Sequence, residues 1–291
     1  MDNNLWKTLF TTDFDNSQYL YHYTNIDKAI KIINSDSLRF SSINSTNDTS
    51  EAKLKIRFEH TKFDSIQSEE DFETKTESIL KFFCDKHPLI RLLCFSMDVK
   101  LKKTEIKKIN DNLIREKDRY YNVLGRGFAL PRMWAQYASD NTGVCFIIDR
   151  EKLLKQINKK IEYHSEGPVK YRNFFVNYII KNEAIDLLYD KITLSTNSNL
   201  TMAKLFSKDS DFIKYNYFEK LSDWESENEY RIIALTDNDS LLHIENFHSY
   251  LKGVVFGENI DPAYENVIKI LLNDCCEIKK ISFENNVCRI V

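Results

Sequence analysis

Apolar residues in this chain recur in two periods, and the switches between them mark out its elements. Tyr19 to Tyr23 (YLYHY) is an aromatic-rich run of strand character. From Thr24, with Asp27 three residues on in the manner of a capping box, Ile26, Ala29, Ile30 and Ile33 take up helical spacing. This predicts a helix that buries one face and ends near Ser35-Asp36. Leu38 to Ser41 (LRFS) is a short strand, and Asn44 to Glu51 (NSTNDTSE) is a turn-forming polar loop. Residues 52–87 are predicted mostly helical, with a polar break near Ser65 to Glu70. Leu89 to Ser96 (LIRLLCFS) is apolar enough for a central strand, and Lys100 to Tyr121 is a charged amphipathic surface excursion.

The second half alternates in the same way. Ala129 to Ala138 (ALPRMWAQYA) predicts a short helix opened by Pro131, with Trp134 and Tyr137 on one face. That pair is either an aromatic staple against the core or a stacking wall for a planar ligand ring. Gly143 to Asp149 (GVCFIID) is a buried strand, and Val169 to Tyr171 another short one. Asn173 to Tyr189 and Asn199 to Lys220 predict helices. Strands follow at Tyr230 to Thr236 and Leu251 to Phe256, then a helix from Asp261-Pro262 to Leu272. A terminal hairpin, Glu277 to Phe283 with Val287 to Val291, turns across Asn285-Asn286. Without a repeat or linker, the economical fold is one α+β domain over 1–291 with a mixed or antiparallel sheet. Helical excursions fall at about 52–87, 97–128 and 174–220.

The densest chemistry lies in Trp224 to Ile233 (WESENEYRII), ahead of an apolar run. In a strand, residues two apart share a face, so Glu225, Glu227, Glu229 and Arg231 are predicted to line one side of it. Three like charges on one face are costly unless cations or a ligand answer them. Lys220, four residues before Trp224, is placed to neutralise a carboxylate or a ligand phosphate. At the other end of the chain His22, where the first strand ends, is either a satisfied structural residue or a polar anchor facing a cleft.

Composition narrows the chemistry. A net charge of -3 over 291 residues gives no overall case for a nucleic-acid binder. Six glycines leave little for a phosphate-cradling loop, and Gly125-Arg126-Gly127 lacks the third glycine of a dinucleotide fingerprint. The six cysteines include no Cys-x-x-Cys, and His-Glu-x-x-His is missing, so no metal is expected. Met1 to Phe10 has no apolar core of a signal peptide, and no run reaches membrane-spanning length, so the expected location is the cytoplasm.

The ordered motifs resemble the bacterial DUF2971 family. They are His22-Tyr23-Thr24, Leu38-Arg39-Phe40-Ser41, the loop Asn47-Asp48-Thr49-Ser50-Glu51, Cys94-Phe95-Ser96, Trp134 with Tyr137, Gly143-Val144-Cys145, Lys220 through Arg231, and Phe256-Gly257. Thr49 stands where the family has proline, leaving Asn47, Asp48 and Glu51 in place. The opening, Tyr-His-x-Thr followed by Leu-Arg-Phe-Ser, is also similar to ADP-ribosyltransferases of the His-Tyr-Glu type, which include DarT-like enzymes. That resemblance implies a histidine holding the NAD ribose, aromatic side chains around the nicotinamide, and a late-strand glutamate stabilising an oxocarbenium ion.

Transferred to this chain, the catalytic candidates are His22, Glu227 and Glu229. Tyr23, Thr24, Arg39, Phe40, Ser41, Asn47, Asp48, Glu51, Trp134, Tyr137, Lys220 and Arg231 would bind NAD as substrate. The resemblance implies a toxin or anti-phage defence effector, with a protein or nucleic-acid acceptor. Breaking the nicotinamide–ribose bond builds positive charge on the sugar, which a carboxylate stabilises most in the transition state. Two other readings stand beside this one. The first is a non-catalytic module on the same fold that binds a nucleotide or partner. The second is a nuclease or phosphotransferase using Asn47, Asp48, Glu51 and the carboxylates around 227 with a divalent cation.

Overall fold

The computed structural model describes residues 5–9, 18–59, 69–99, 125–194, 210–237, 241–284 and 287–290. Its centre is a nine-stranded sheet in the order β15 (Val287–Ile290), β14 (Glu277–Glu284), β13 (Leu251–Phe256), β6 (Val144–Asp149), β1 (Tyr19–Thr24), β5 (Ile90–Ser96), β11 (Glu229–Leu235) and β7 (His164–Pro168). The short β3 (Ser41–Ser42) adds to β5. These pairs are antiparallel apart from β13 with β14. Three small pairs lie outside the sheet: β10 (Glu219–Leu221) with β8 (Lys170–Arg172), β12 (His243–Glu245) with β2 (Ser37–Arg39), and β4 (Ile56–Glu59) with β9 (Tyr178–Lys181). The fold is α+β.

The central strands are apolar on both faces because both faces are covered. Leu20, Phe95, Phe146, Tyr230, Ile232 and Val254 point to one side. There they meet α2 (Ile26–Asn34), α5 (Arg150–Lys160), α8 (Phe247–Tyr250) and α9 (Pro262–Leu272). The opposite side carries two separate clusters. Tyr21, Tyr23, Cys145, Ile147 and Val255 pack under α1 (Leu5–Leu9) and α4 (Pro131–Tyr137). Leu92, Ile233 and Leu235 pack under α3 (Glu69–Lys86), α6 (Asn182–Leu194) and α7 (Asp211–Tyr217). A polar wedge fills the line between them.

Several expectations shift. The helix after the first strand is capped by Asn25, whose side chain accepts from Lys28 N, and not by Thr24, which stays in the strand. Within 52–87, α3 supplies the expected helix from Glu69, while β4 at 56–59 is a strand in place of helix, and residues 60–68 lie outside the described residues. The stretch 173–189 opens with β9, whose Ile180 reaches the core, before α6 starts. Of 199–220, residues 199–209 lie outside the described residues; α7 occupies Asp211–Tyr217, and β10 begins at Glu219, where helix was expected. The excursion Lys100–Tyr121 and the turn Asn285-Asn286 lie outside the described residues. Gly143 is required by close approach, since a Cβ there would meet Thr24 O at 2.3 Å.

Candidate functional site

Strand β11 starts at Glu229, and Ser222–Glu227 is a 3-10 turn, so the four-residue alternation 225–231 does not form. Glu225 is exposed and stands apart. Asn228 between the turn and the strand is left-handed (φ 43, ψ 55). Asparagine tolerates that region better than most residues. Its side chain ties the kink to the carbonyls of Met97 and Asp98 at 2.9 and 3.0 Å. The kink turns Glu227 back beside Glu229, and both are buried. Two carboxylates therefore converge as expected, through a backbone turn instead of strand periodicity.

Lys220, on β10, stands between them. Its Nζ donates to Glu227 Oε2 at 2.8 Å and lies 2.8 Å from Glu229 Oε2. Arg231 clasps Glu229 with two bonds, Nε to Oε1 at 2.7 Å and Nη2 to Oε2 at 2.9 Å. It also reaches Glu51 Oε1 at 2.5 Å and the Tyr217 carbonyl at 2.8 Å. Tyr137 donates its phenol to Glu227 Oε1 at 2.7 Å and is hydrogen-bonded to the exposed Asn47. Tyr171 receives the Glu229 amide at 2.8 Å. Elements far apart in the chain thus meet on one face of the sheet.

Four buried carboxylates, Asp48, Glu51, Glu227 and Glu229, lie with three buried cations, Lys55, Lys220 and Arg231, so this inner cluster retains one negative charge. Burial works against the Glu229 charge, but Arg231 and then Lys220 outweigh it and hold the carboxyl well below the usual range. Burial would likewise depress Lys220, yet Glu229 and Glu51 hold its ammonium above its ordinary value. Lys55, also buried, lacks as strong a partner. Burial brings it down to about 8 against the pull of Glu51, and its Nζ bonds the Glu219 carbonyl at 3.1 Å. Asp48 Oδ2 and Ser96 Oγ are buried without a hydrogen-bond partner. Ser96 sits directly across β5 and β11 from Glu229.

The cluster borders a gap in the sheet. On one edge of β5, Ser96 pairs with Tyr21, while Leu92 and Arg91 pair with Ser41 and Ser42. Between those contacts Leu93 to Phe95 meet no strand on that edge. His22 occupies the break, with Nδ1 3.2 Å from the Cys94 carbonyl. A carbonyl only accepts, so Nδ1 carries the proton and Nε2 is left as an acceptor. Burial lowers this imidazole's pKa, opposed by that bond. Cys94 is exposed in the gap, and its thiol bonds Glu229. The surrounding protein desolvates this thiol and the Glu229 charge adds to the effect, so its pKa is well raised and it is a neutral donor.

His22 itself points the other way. It is cross-strand from Phe146 and packs edge-on against Phe95 at 5.7 Å, both on the opposite face from Glu229. The structure therefore joins Glu51, Tyr137, Lys220, Glu227, Glu229 and Arg231 directly, with Asn47 and Asp48 at their edge. It does not bring His22 to them. Arg39 and Ser41 are exposed beside the gap, whereas Phe40 is core on the far face. Thr24 is buried, and Tyr23 spends its phenol on the Gly127 carbonyl at 2.8 Å. Trp134 is no stacking wall: it is fully buried, donates to the Phe128 carbonyl at 2.8 Å, and meets Tyr23 edge-on at 5.1 Å.

A family model described as a protein of unknown function, DUF2971, matches residues 133–232. That span carries Tyr137, Lys220 and the stretch through Arg231, while His22, Leu38 to Ser41 and the Asn47 to Glu51 loop lie before it. The DUF2971 match thus covers all of the directly joined residues except Glu51. No curated protein and no solved structure matches the chain. Among the described residues, no group of three or more His, Cys, Asp or Glu side chains is placed to hold a metal ion. None of their helices is long and apolar enough to cross a membrane.

Beside the residues expected at the site, the structure adds Trp224, Tyr171, Lys55, Cys94 and Ser96. Trp224 is half-buried on the 3-10 turn, its ring centroid 5.1 Å from Lys220 Nζ and 5.1 Å from the Arg132 guanidinium carbon. The Lys220-to-Trp224 spacing was a usable signal for that ring. Ser96 and Cys94 are legible as strand residues and as part of the Cys94-Phe95-Ser96 motif, but their place beside Glu229 comes from register.

Proposed function

We propose that the Glu51–Glu227–Glu229 cluster is the chemical centre of an NAD-consuming enzyme, ADP-ribosyltransferase-like in its chemistry, that transfers to protein, nucleic acid or water. A toxin or defence effector is the biological setting that fits such an activity. The observation that carries the reading is the uncompensated negative charge of the buried cluster, beside a break in the sheet. A site of that sign, in low dielectric, favours positive charge developing on a ribosyl carbon.

Glu227 is the carboxylate assigned to the reacting sugar. It sits on the turn that bears Trp224 and is held by Lys220 and Tyr137. Glu229, with both oxygens on Arg231, is its positioning partner. His22 supports the rim of the gap from the other face and has no place on the reacting sugar in this scheme.

A second reading rests on the same ion pairs. Carboxylates already answered by Lys220 and Arg231 suit a binding module that recognises a nucleotide without turning it over. Incubation of the protein with NAD, with and without nucleic acid and lysate, separates the two when free nicotinamide is read by chromatography. Release that falls on the order of 100-fold or more in Glu227→Gln supports the enzyme. A rise in melting temperature with NAD and no nicotinamide supports the module. Release unchanged in both Glu227→Gln and Glu229→Gln removes the cluster from the chemistry.

A further inference from the structure

Cys275 and Cys276 stand side by side between the end of α9 and the start of β14. The two residues before them, Asn273 (φ 43) and Asp274 (φ 57), are both left-handed, and Cys275 N donates to the Leu272 carbonyl at 2.8 Å. This tight turn brings the pair to the surface on the α2 side of the sheet, across from the carboxylate cluster. Cys275 is exposed, and Cys276 is half-buried against the core that holds Leu272. Both thiols are free, and their side chains are hydrogen-bonded to each other. Neighbouring Cα atoms across a trans peptide lie about 3.8 Å apart, whereas a disulfide spans about 4.4 Å or more. Closing this pair into a disulfide would strain the backbone, so it is held as a dithiol.

We propose that Cys275-Cys276 is a two-thiol binding site for trivalent arsenicals, independent of the NAD reading. Two sulfurs already in contact are placed to bond one larger soft atom between them, a longer bridge than a direct sulfur–sulfur bond. The protonation of the pair narrows the class of ligand. Burial raises both thiols, and the neighbouring Cys275 raises that of Cys276 further. Alkylating agents and divalent metal ions need the thiolate, which this pair withholds at neutral pH. An arsenoxide, R–As=O, reacts to an equilibrium product without it. Each sulfur forms a bond to arsenic, the As=O bond breaks, and the oxygen leaves as water with both thiol protons. Arsenic stays trivalent and both sulfurs stay reduced. The first As–S bond holds arsenic beside the second thiol, so the second bond forms within the molecule at a high effective concentration.

The test titrates the whole protein with phenylarsine oxide and follows it by intact-mass spectrometry. A two-sulfur adduct gains the reagent less one water, whereas a single thiol such as the exposed Cys84 gains the whole reagent, so the mass tells the two apart. The parent is expected to form the water-loss adduct, and 2,3-dimercaptopropanol should release it where mercaptoethanol at equal thiol concentration does not. Cys275→Ser and Cys276→Ser should each abolish the water-loss adduct and weaken binding by about 100-fold or more, as the loss of one of two linked contacts would. Cys275→Ser changes an exposed position, and circular dichroism confirms that each variant is folded. Cys84→Ser should leave the adduct unchanged. Absence of a water-loss adduct in the parent, its survival in either Cys275→Ser or Cys276→Ser, its loss in Cys84→Ser, or equal release by the monothiol would each overturn the proposal.

Discussion

Lys220 Nζ donates to Glu227 Oε2 at 2.8 Å, and both side chains are buried. Each is held in a place that water does not share, so neither can lose the other cheaply. Removing one partner of such a pair leaves an uncompensated charge in low dielectric, which costs roughly 3–5 kcal/mol. Lys220→Met also deprives Glu229 and strips the positive ceiling from Glu51. It is expected to destabilise the protein by at least the lower end of that range in urea denaturation. Glu227→Gln, which keeps shape and hydrogen-bonding capacity, should cost clearly less, and the double variant Lys220→Met/Glu227→Leu should recover part of the loss. A Lys220→Met protein as stable as the parent would mean that the pair is open to solvent.

The placement of His22 separates structure from chemistry. Its ring lies with Phe95 on the α2 side of the sheet, while Glu227 and Glu229 occupy the other side. His22→Ala is expected to lower stability by about 1–3 kcal/mol through lost packing and an unanswered Cys94 carbonyl. Nicotinamide release per folded molecule should change by less than about ten-fold, against the 100-fold or greater loss for Glu227→Gln. Turnover assays normalised to folded protein check this. A loss in His22→Ala equal to that in Glu227→Gln would place the imidazole in the reaction.

Asn228 offers a backbone test of the same site. Its left-handed conformation turns Glu227 toward Lys220, and two side-chain bonds to Met97 and Asp98 secure it. Asn228→Gly keeps the conformation accessible but deletes both bonds. Asn228→Ala deletes them and adds roughly 1–2 kcal/mol of left-handed strain. Alanine is therefore expected to be the less stable variant by about that amount, and to disturb NAD binding more than glycine does. Equal stability of the two would show that the turn relaxes away from its left-handed geometry.

How much of this was legible in the sequence follows from which interactions are local. Tyr19 to Tyr23, Leu89 to Ser96 and Gly143 to Asp149 read as strands because their apolar runs are continuous, and they are β1, β5 and β6. Pro131 and Asp261-Pro262 announced helices that exist. Residues 225 to 229 alternate as a strand does, yet one left-handed asparagine is what brings Glu227 beside Glu229. Trp134 read as a possible wall because helical spacing reveals which residues share a face, not what that face meets; here it meets Tyr23 and the core. The partnership of Glu51 with Arg231 spans most of the chain and leaves no local trace. Nor does the opposition of His22 and Glu229, which depends on strand order and register.

His87 supplies the pH dependence expected of the fold. It is buried between α3 and β5, its Nδ1 3.1 Å from the Tyr217 hydroxyl, with the two rings stacked at 5.7 Å and 21°. Burial holds its imidazole down at about 4, against a hydrogen bond to the Ala52 backbone carbonyl that works the other way, while the unfolded value is 6.5. The folded state therefore favours the neutral ring. The unfolded chain takes up a proton first as pH falls, so stability drops with it. This contribution is fully present above about pH 6.5, declines between there and about pH 4, and is gone below. Its size is on the order of 3 kcal/mol. Urea denaturation at several pH values across that window should show the decline in the parent. In His87→Phe, which keeps the stack without a titrating nitrogen, the curve should be flatter by about that amount. An identical pH slope in both proteins would mean that His87 is protonated alike in the folded and unfolded states.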